Sequence, residues 1–191
     1  MGDQYRNRKG FFSLNVQVVS DAMLKITNIV ARWPGSVHDA TIFNNSKLRA
    51  QFESGAYVDS LLLGDSGYGI KSYLMTPLLA PNTPAEALYN ASQIRTRNVV
   101  ERLFGVWKRR FPILSIGIRI KLTTAQLIIV ACAVLHNIAR DMKDPEPDIV
   151  QENNVNNDFG EEGPMEGQNY VNREGDVVRQ MLIQNYFSNL Q

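Results

Sequence analysis

"LLLGDSGYGI", residues 61–70, is the stretch on which the reading of this chain turns. Three leucines read as a buried strand, Gly64 stops it, and Asp65 follows at once. Gly67 and Gly69 mark the residues beyond as a turn. A carboxylate at that point has two readings. It can bond its own backbone, as turn aspartates do. It can also stand at the carboxyl end of a strand, where open α/β sheets place their ligands.

Upstream, "GFFSLNVQVV" (10–19) and "KITNIVARWPG" (25–35) alternate in polarity and are rich in β-branched and aromatic residues. They read as two antiparallel strands of a hairpin, with Asp21 in the turn. "SVHDATIFNNSKLRAQFESG" (36–55) places Ile42, Phe43 and Leu48 near helical spacing. A helix is expected there, capped by Ser36 or Asp39 and stopped by Gly55. The 60–67 run is the third strand, apolar enough for burial on both faces. Downstream, residues 84–111 predict one long helix, or two with a break near Arg95. "TTAQLIIVACAVLHNIARDM" (123–142) predicts a buried helix capped by Thr123 or Thr124. Strand, strand, helix, strand, helices is an α/β order.

The net charge of +1 conceals a division. Residues 1–140 carry 17 Lys and Arg against 8 Asp and Glu; residues 141–176 carry 2 against 11. A basic body suits an anionic partner. The acidic, Asn-rich tract 141–176 is expected to be a disordered linker, and 177–191 a short end helix. The single cysteine, Cys132, excludes an intrachain disulfide framework and points to a reducing compartment, cytosol or nucleus. The longest apolar run, "AQLIIVACAVL", is too short to span a bilayer, so no membrane partner is expected.

A second acid stands out on the 84–111 helix. At 100° per residue, Val99, Val100, Leu103, Phe104, Trp107 and Phe111 share one arc. Glu101 lies on the other side with Arg97, Asn98, Gly105 and Lys108. By itself it is an exposed glutamate among helix-surface partners. Asp65 and Glu101 are separated by 35 residues. Asp39 is a cap or a supporting acid, and Arg97, Lys108 and Arg109 are candidates for phosphate contact. His136 and Cys132 read as buried core residues.

"RNRKGFFSLNVQVVSD", "NIVARWPGSVHDATIFNNS", "LLLGDSGYGIKSYLMTPLL", "QIRTRNVVERLFGVWKRRFPIL" and "VACAVLHNI" resemble, in order, consecutive blocks of the PIF/Harbinger transposase family. The resemblance covers roughly residues 5–140 and implies a ribonuclease H-like DDE catalytic core over 1–140. It implies DNA cleavage with a divalent cation, Mg²⁺ or Mn²⁺, and no small-molecule cofactor. Asp65 in "GDSGY" matches the second catalytic acid and Glu101 in "RNVVERLFG" the third; both would be metal ligands. The first acid normally lies in an Asp-Gly-Thr-like motif upstream of the "RNRKG" block, and no Asp-Gly pair occurs here. The expectation is a partial core that lacks its first strand and cleaves poorly or not at all. The resemblance also implies localisation to the nucleus, with the cytoplasm as a second site, and a Myb-like DNA-binding partner. The competing expectation is a catalytically inactive relic that acts as a protein or DNA interaction module.

Overall fold

The computed structural model of the chain describes residues 3–7, 9–147 and 172–190. The central part of the acidic tract, 148–171, lies outside the described residues, and so does most of its expected disorder. The chain forms two compact units. One holds the described residues of Met1–Val37 and Val99–Gly160, the other those of His38–Asn98 and Glu161–Gln191. Helices and short strands mix in both, as expected for an α/β class.

The first unit is built on a hairpin. Strands β1 (Leu14–Ser20) and β2 (Ile26–Pro34) pair antiparallel, with Val18 opposite Ile29. The turn is fixed as the sequence suggests: Asp21 Oδ1 accepts from the N–H of Met23 at 2.8 Å and of Lys25 at 2.9 Å. Helix α5 (Leu122–Asp141) packs on β2. Its Asn137 side chain receives the Ile26 N–H and donates to the Ile26 carbonyl, both at 2.8 Å. Leu24, Ile26, Ala31, Leu103, Val106, Trp107, Ile129, Cys132 and Ala133 form the core.

The second unit carries α1 (Asp39–Asn44), α2 (Lys47–Glu53), β3 (Leu62–Leu63), β4 (Leu74–Met75) and α6 (Arg173–Asn185). Strands β3 and β4 pair in parallel. The single helix expected over 36–55 is two, because Ser46 recaps the chain. Its Oγ accepts from the Arg49 N–H and donates to the Phe43 carbonyl. Asp39 is not the cap; His38 holds that position, and Asp39 is the first helical residue. The end helix begins earlier than residue 177, at Arg173, where Asn172 caps it through the Gly175 N–H.

Helix α3 (Pro84–Arg110) is continuous. Thr83 and Glu86 form a reciprocal capping box, and Pro84 occupies the first turn, where its missing N–H costs nothing. Residues to Asn98 belong to the second unit and those from Val99 to the first. A four-residue helix, α4 (Ile113–Ile116), follows Pro112.

Three further expectations are corrected. The third strand is only two residues long, and Leu61 and Leu63 are 49% and 38% exposed, so it is not buried on both faces. Helix α5 is not buried all round: Leu127, Val130, Val134, Leu135 and Ile138 are exposed. It is capped at Lys121, ahead of Thr123. Over its whole length α5 is also long and apolar enough to cross a bilayer. Within its unit it packs on β2 and bonds Ile26 through Asn137.

His136 is fully buried, as its place on the apolar helix suggests, and its Nε2 lies 2.8 Å from the Leu24 carbonyl. A carbonyl only accepts, so Nε2 carries the proton. Leu24 itself sits at φ 61°, a left-handed turn conformation. Burial pushes the His136 pKa below its ordinary 6.5, and Arg110 and Arg140 add to the effect. The unfolded chain therefore takes up a proton near pH 6.5 that the folded chain refuses. Stability is complete above that value and falls as pH drops from it toward the lower folded pKa. Thermal unfolding followed from pH 7.5 to 5.5 should show this loss in the wild type, and a flatter profile in His136→Gln.

Candidate functional site

Asp65 stands just beyond the carboxyl end of β3. Gly64, which precedes it, is buried, and its N–H donates to the Met75 carbonyl at 3.0 Å as the last rung of the β3–β4 ladder. A Cβ on Gly64 would lie 2.9 Å from Tyr68 Cδ2 and 3.3 Å from Leu74 Cδ1, so only glycine fits without displacing the Tyr68 ring. Asp65 is half-buried. Its Oδ1 accepts the Gly67 N–H at 2.9 Å, and its carbonyl accepts the Tyr68 N–H at 3.3 Å. The turn-acid reading is thus realised, and it fixes one carboxylate oxygen while the residue keeps its place at a strand end.

The strand end is gripped from α3. Gln93 Nε2 donates to the Gly64 carbonyl at 2.7 Å. One turn earlier, Asn90 bonds both the N–H and the carbonyl of Leu78, and the Tyr89 hydroxyl donates to the Thr76 carbonyl. Sequence reading passes over these residues. The available signal is a buried polar side chain on the core-facing side of a helix, and periodicity alone counts such a residue as surface.

Glu101 lies on the part of α3 that belongs to the first unit, and it is half-buried. Leu103, Val106 and Trp107 turn into the core beneath it, so the expected apolar arc holds, with Val106 added. Asp65 and Asp39 belong to the second unit, where Asp39 is half-buried at the start of α1. The two motif acids are therefore each described within their own unit.

Among the candidates for phosphate contact, Arg109 is exposed and Arg97 half-buried. Lys108 is exposed but borders an apolar groove with Trp107, Phe104 and Ile118, and partial desolvation against that groove lowers its pKa. Three other arginines of this unit have other work. Arg110 pairs with Asp144, while Arg102 and Arg140 both reach Glu146, at 3.1 and 3.0 Å. Although desolvation works the other way, these arginines hold the Glu146 carboxyl below the ordinary range.

The donor chemistry at Asp65 and Glu101 suits a hard divalent cation, which takes carboxylate oxygens. The number of donors falls short: no group of three or more metal-ligating side chains occurs among the described residues.

Residues 1–137 match the DDE superfamily endonuclease family. The chain is 38% identical over 192 residues to the Mus musculus protein named "Putative nuclease HARBI1", an alignment covering 96% of this chain and 53% of the relative. Identity to the Homo sapiens protein of that name is 42% over 138 residues, covering 71% of this chain and 40% of the relative. An ALP1-like protein of Arabidopsis thaliana is 26% identical over 149 residues, 70% of this chain and 36% of the relative. The chain thus spans about half the length of the mouse relative. No solved structure matches it. With more than half its length matched, this chain belongs to the DDE superfamily endonucleases and is homologous to the Harbinger-derived nucleases among them.

Proposed function

We propose that the chain serves divalent-metal-dependent cleavage of DNA phosphodiester bonds, with Asp65 and Glu101 as the second and third acids of a DDE triad in a ribonuclease H-like core. The observation that carries the reading is Asp65 itself: a half-buried carboxylate at a strand end, one oxygen set by its turn, the strand end bolted to a helix. Rigid elements hold ligands better than loops do. Asp65 and Glu101 would hold Mg²⁺ or Mn²⁺, with Asp39 as a supporting acid. Such an ion, when bound, activates the attacking oxygen and stabilises the leaving one. The chain's own contribution is to place carboxylates and, through Arg97, Lys108 and Arg109, to meet phosphates. A Myb-like partner would supply sequence-specific DNA binding, and the site of action would be the nucleus. No organic cofactor enters the proposal.

A second reading, an interaction module without cleavage of its own, is favoured by the donor count among the described residues. Cleavage of duplex DNA with Mg²⁺ or Mn²⁺ separates the two. The 191-residue chain is compared with a version lengthened by the Asp-Gly-Thr-bearing segment of a family member. Each is also assayed as Asp65→Asn. The expected result is little or no cutting by the chain alone and metal-dependent cutting by the lengthened form, lost in Asp65→Asn. A lengthened form that binds DNA and metal but never cuts would favour the interaction module. Cutting by the short chain, lost in Asp65→Asn, would show that another acid, Asp39 first, completes the site.

A further inference from the structure

The grip of Gln93 on the strand end has a functional reading, which rests on that of Asp65 as a metal ligand. We infer that Gln93 is a positioning residue for the Asp65 carboxylate, acting through the Gly64–Asp65 peptide.

Gly64 is tightly enclosed. No larger residue fits there, because its Cβ would collide with the Tyr68 ring. Glycine, however, is the residue with the greatest backbone freedom. A glycine directly before a ligand is a hinge at the wrong place: rotation about its ψ, or about the φ of Asp65, swings the carboxylate away. Two hydrogen bonds remove that freedom. The Gly64 N–H to the Met75 carbonyl fixes the peptide plane on one side. Gln93 Nε2 to the Gly64 carbonyl fixes the plane on the other, the one whose nitrogen belongs to Asp65. The Asp65 Oδ1 bond to the Gly67 N–H then sets the side chain. Of these constraints, only the Gln93 bond comes from a side chain on a separate element.

The chemistry of Gln93 supports the assignment. The residue is 4% exposed, and its Oε1 is buried without a hydrogen-bond partner. The amide cannot turn to relieve this, since the Gly64 carbonyl requires a donor. The amide leaves one buried acceptor unpaired in order to donate to Gly64; an apolar side chain of the same length would remove that acceptor but leave the Gly64 carbonyl without this donor. Glutamine at this position is matched to the carbonyl it reaches. For holding the carbonyl before Asp65 it has the right donor and the right reach.

The nearby Tyr89 gives a matched control. It lies on the same helix, is 2% exposed, and donates one hydrogen bond to a backbone carbonyl, that of Thr76. The Thr76 carbonyl lies one residue past β4 and outside the Gly64–Asp65 peptide, so the Tyr89 bond does not act on that peptide.

The test is Mn²⁺ binding to the full 191-residue chain, without DNA, read by water proton relaxation. Five proteins are compared: wild type, Asp65→Asn, Gln93→Met, Gln93→Asn and Tyr89→Phe. Gln93→Met keeps length and helix propensity but has no donor; Gln93→Asn keeps an amide that stops one methylene short. Loss of an outer partner of a metal ligand typically weakens metal affinity by about 10–100-fold. Both Gln93 variants are expected to show a weakening in that range. Tyr89→Phe should stay within about twofold of wild type, even where its thermal midpoint falls as far as theirs. Gln93 variants that bind Mn²⁺ as tightly as Tyr89→Phe would overturn the inference while leaving Asp65 a ligand. Binding that survives Asp65→Asn unchanged would instead overturn the metal reading of Asp65, and that outcome is read from its own arm.

Discussion

Asp65→Asn is expected to lower metal-dependent DNA cleavage by the lengthened chain by at least about 10³-fold, beyond the roughly 10–100-fold that changes behind a ligand cost. DNA affinity should stay within about twofold, since in the proposed reading phosphate contacts rather than this carboxylate carry it. The substitution is close to isosteric. An asparagine side-chain oxygen still accepts the Gly67 N–H that Asp65 Oδ1 accepts at 2.9 Å, so the turn survives. What disappears is the negative charge and the second oxygen that a hard cation needs. Single-turnover cleavage, with binding measured separately in the absence of metal, separates the two effects. A variant that loses cleavage and DNA affinity together would mean that the strand end has unfolded or that Asp65 serves binding.

The largest effect on stability is expected at Trp107. It is 4% exposed in the core of the first unit, beside Leu103 and Val106, which are fully buried. Trp107→Ala leaves a cavity and should cost about 3–5 kcal/mol. That is a large share of the roughly 5–15 kcal/mol that holds a typical domain folded. Trp107→Phe should cost far less. The indole Nε1 is buried without a partner, so losing it removes an unpaired donor along with some volume. Urea unfolding followed by far-ultraviolet circular dichroism gives both values. Equal costs for the two substitutions would mean that the indole is held by a contact other than packing.

Much of this architecture is legible in the sequence, and for identifiable reasons. The hairpin is announced by alternation, and Asp21 closes it with its own side chain, as a turn aspartate does. Pro84 and the Thr83–Glu86 box mark the start of α3. Buried Leu103 and Trp107 follow from helical periodicity, and His136 and Cys132 from the apolar helix around them.

What escaped reading depends on partners far away in the sequence. "SLLLGDSG" looks like a strand buried on both faces, yet pairing with β4 covers only Leu62 and Leu63 of it. An apolar run cannot state how many neighbours it will find. Helix α5 shows the same limit: its composition is apolar all round, while its buried residues lie along one stripe including Ala125, Ile129, Cys132 and Ala133. Ser46 splits the 36–55 helix because a serine hydroxyl can close one helix and open the next, a choice that hydrophobic spacing does not record.

The candidate site divides in the same way. Asp65 and Glu101 are legible as residue types in recognisable motifs, and the family match supports the setting in which those motifs have meaning. Gln93 is invisible to such reading. Nothing in "YNASQIRTRN" says that one amide will turn inward and bond the carbonyl before an acid 28 residues away.

The central claim is that the Asp65 and Glu101 carboxylates are ligands of the divalent ions that the proposed cleavage uses. Its most direct test is Mn²⁺ binding to the chain with Asp65→Asn, Glu101→Gln and both together, each checked for intact secondary structure. If the two acids serve one centre, either substitution alone weakens Mn²⁺ binding by at least about tenfold, and the double variant is little worse than the weaker single one, as expected for coupled groups. Wild-type binding retained in both single variants would contradict the account.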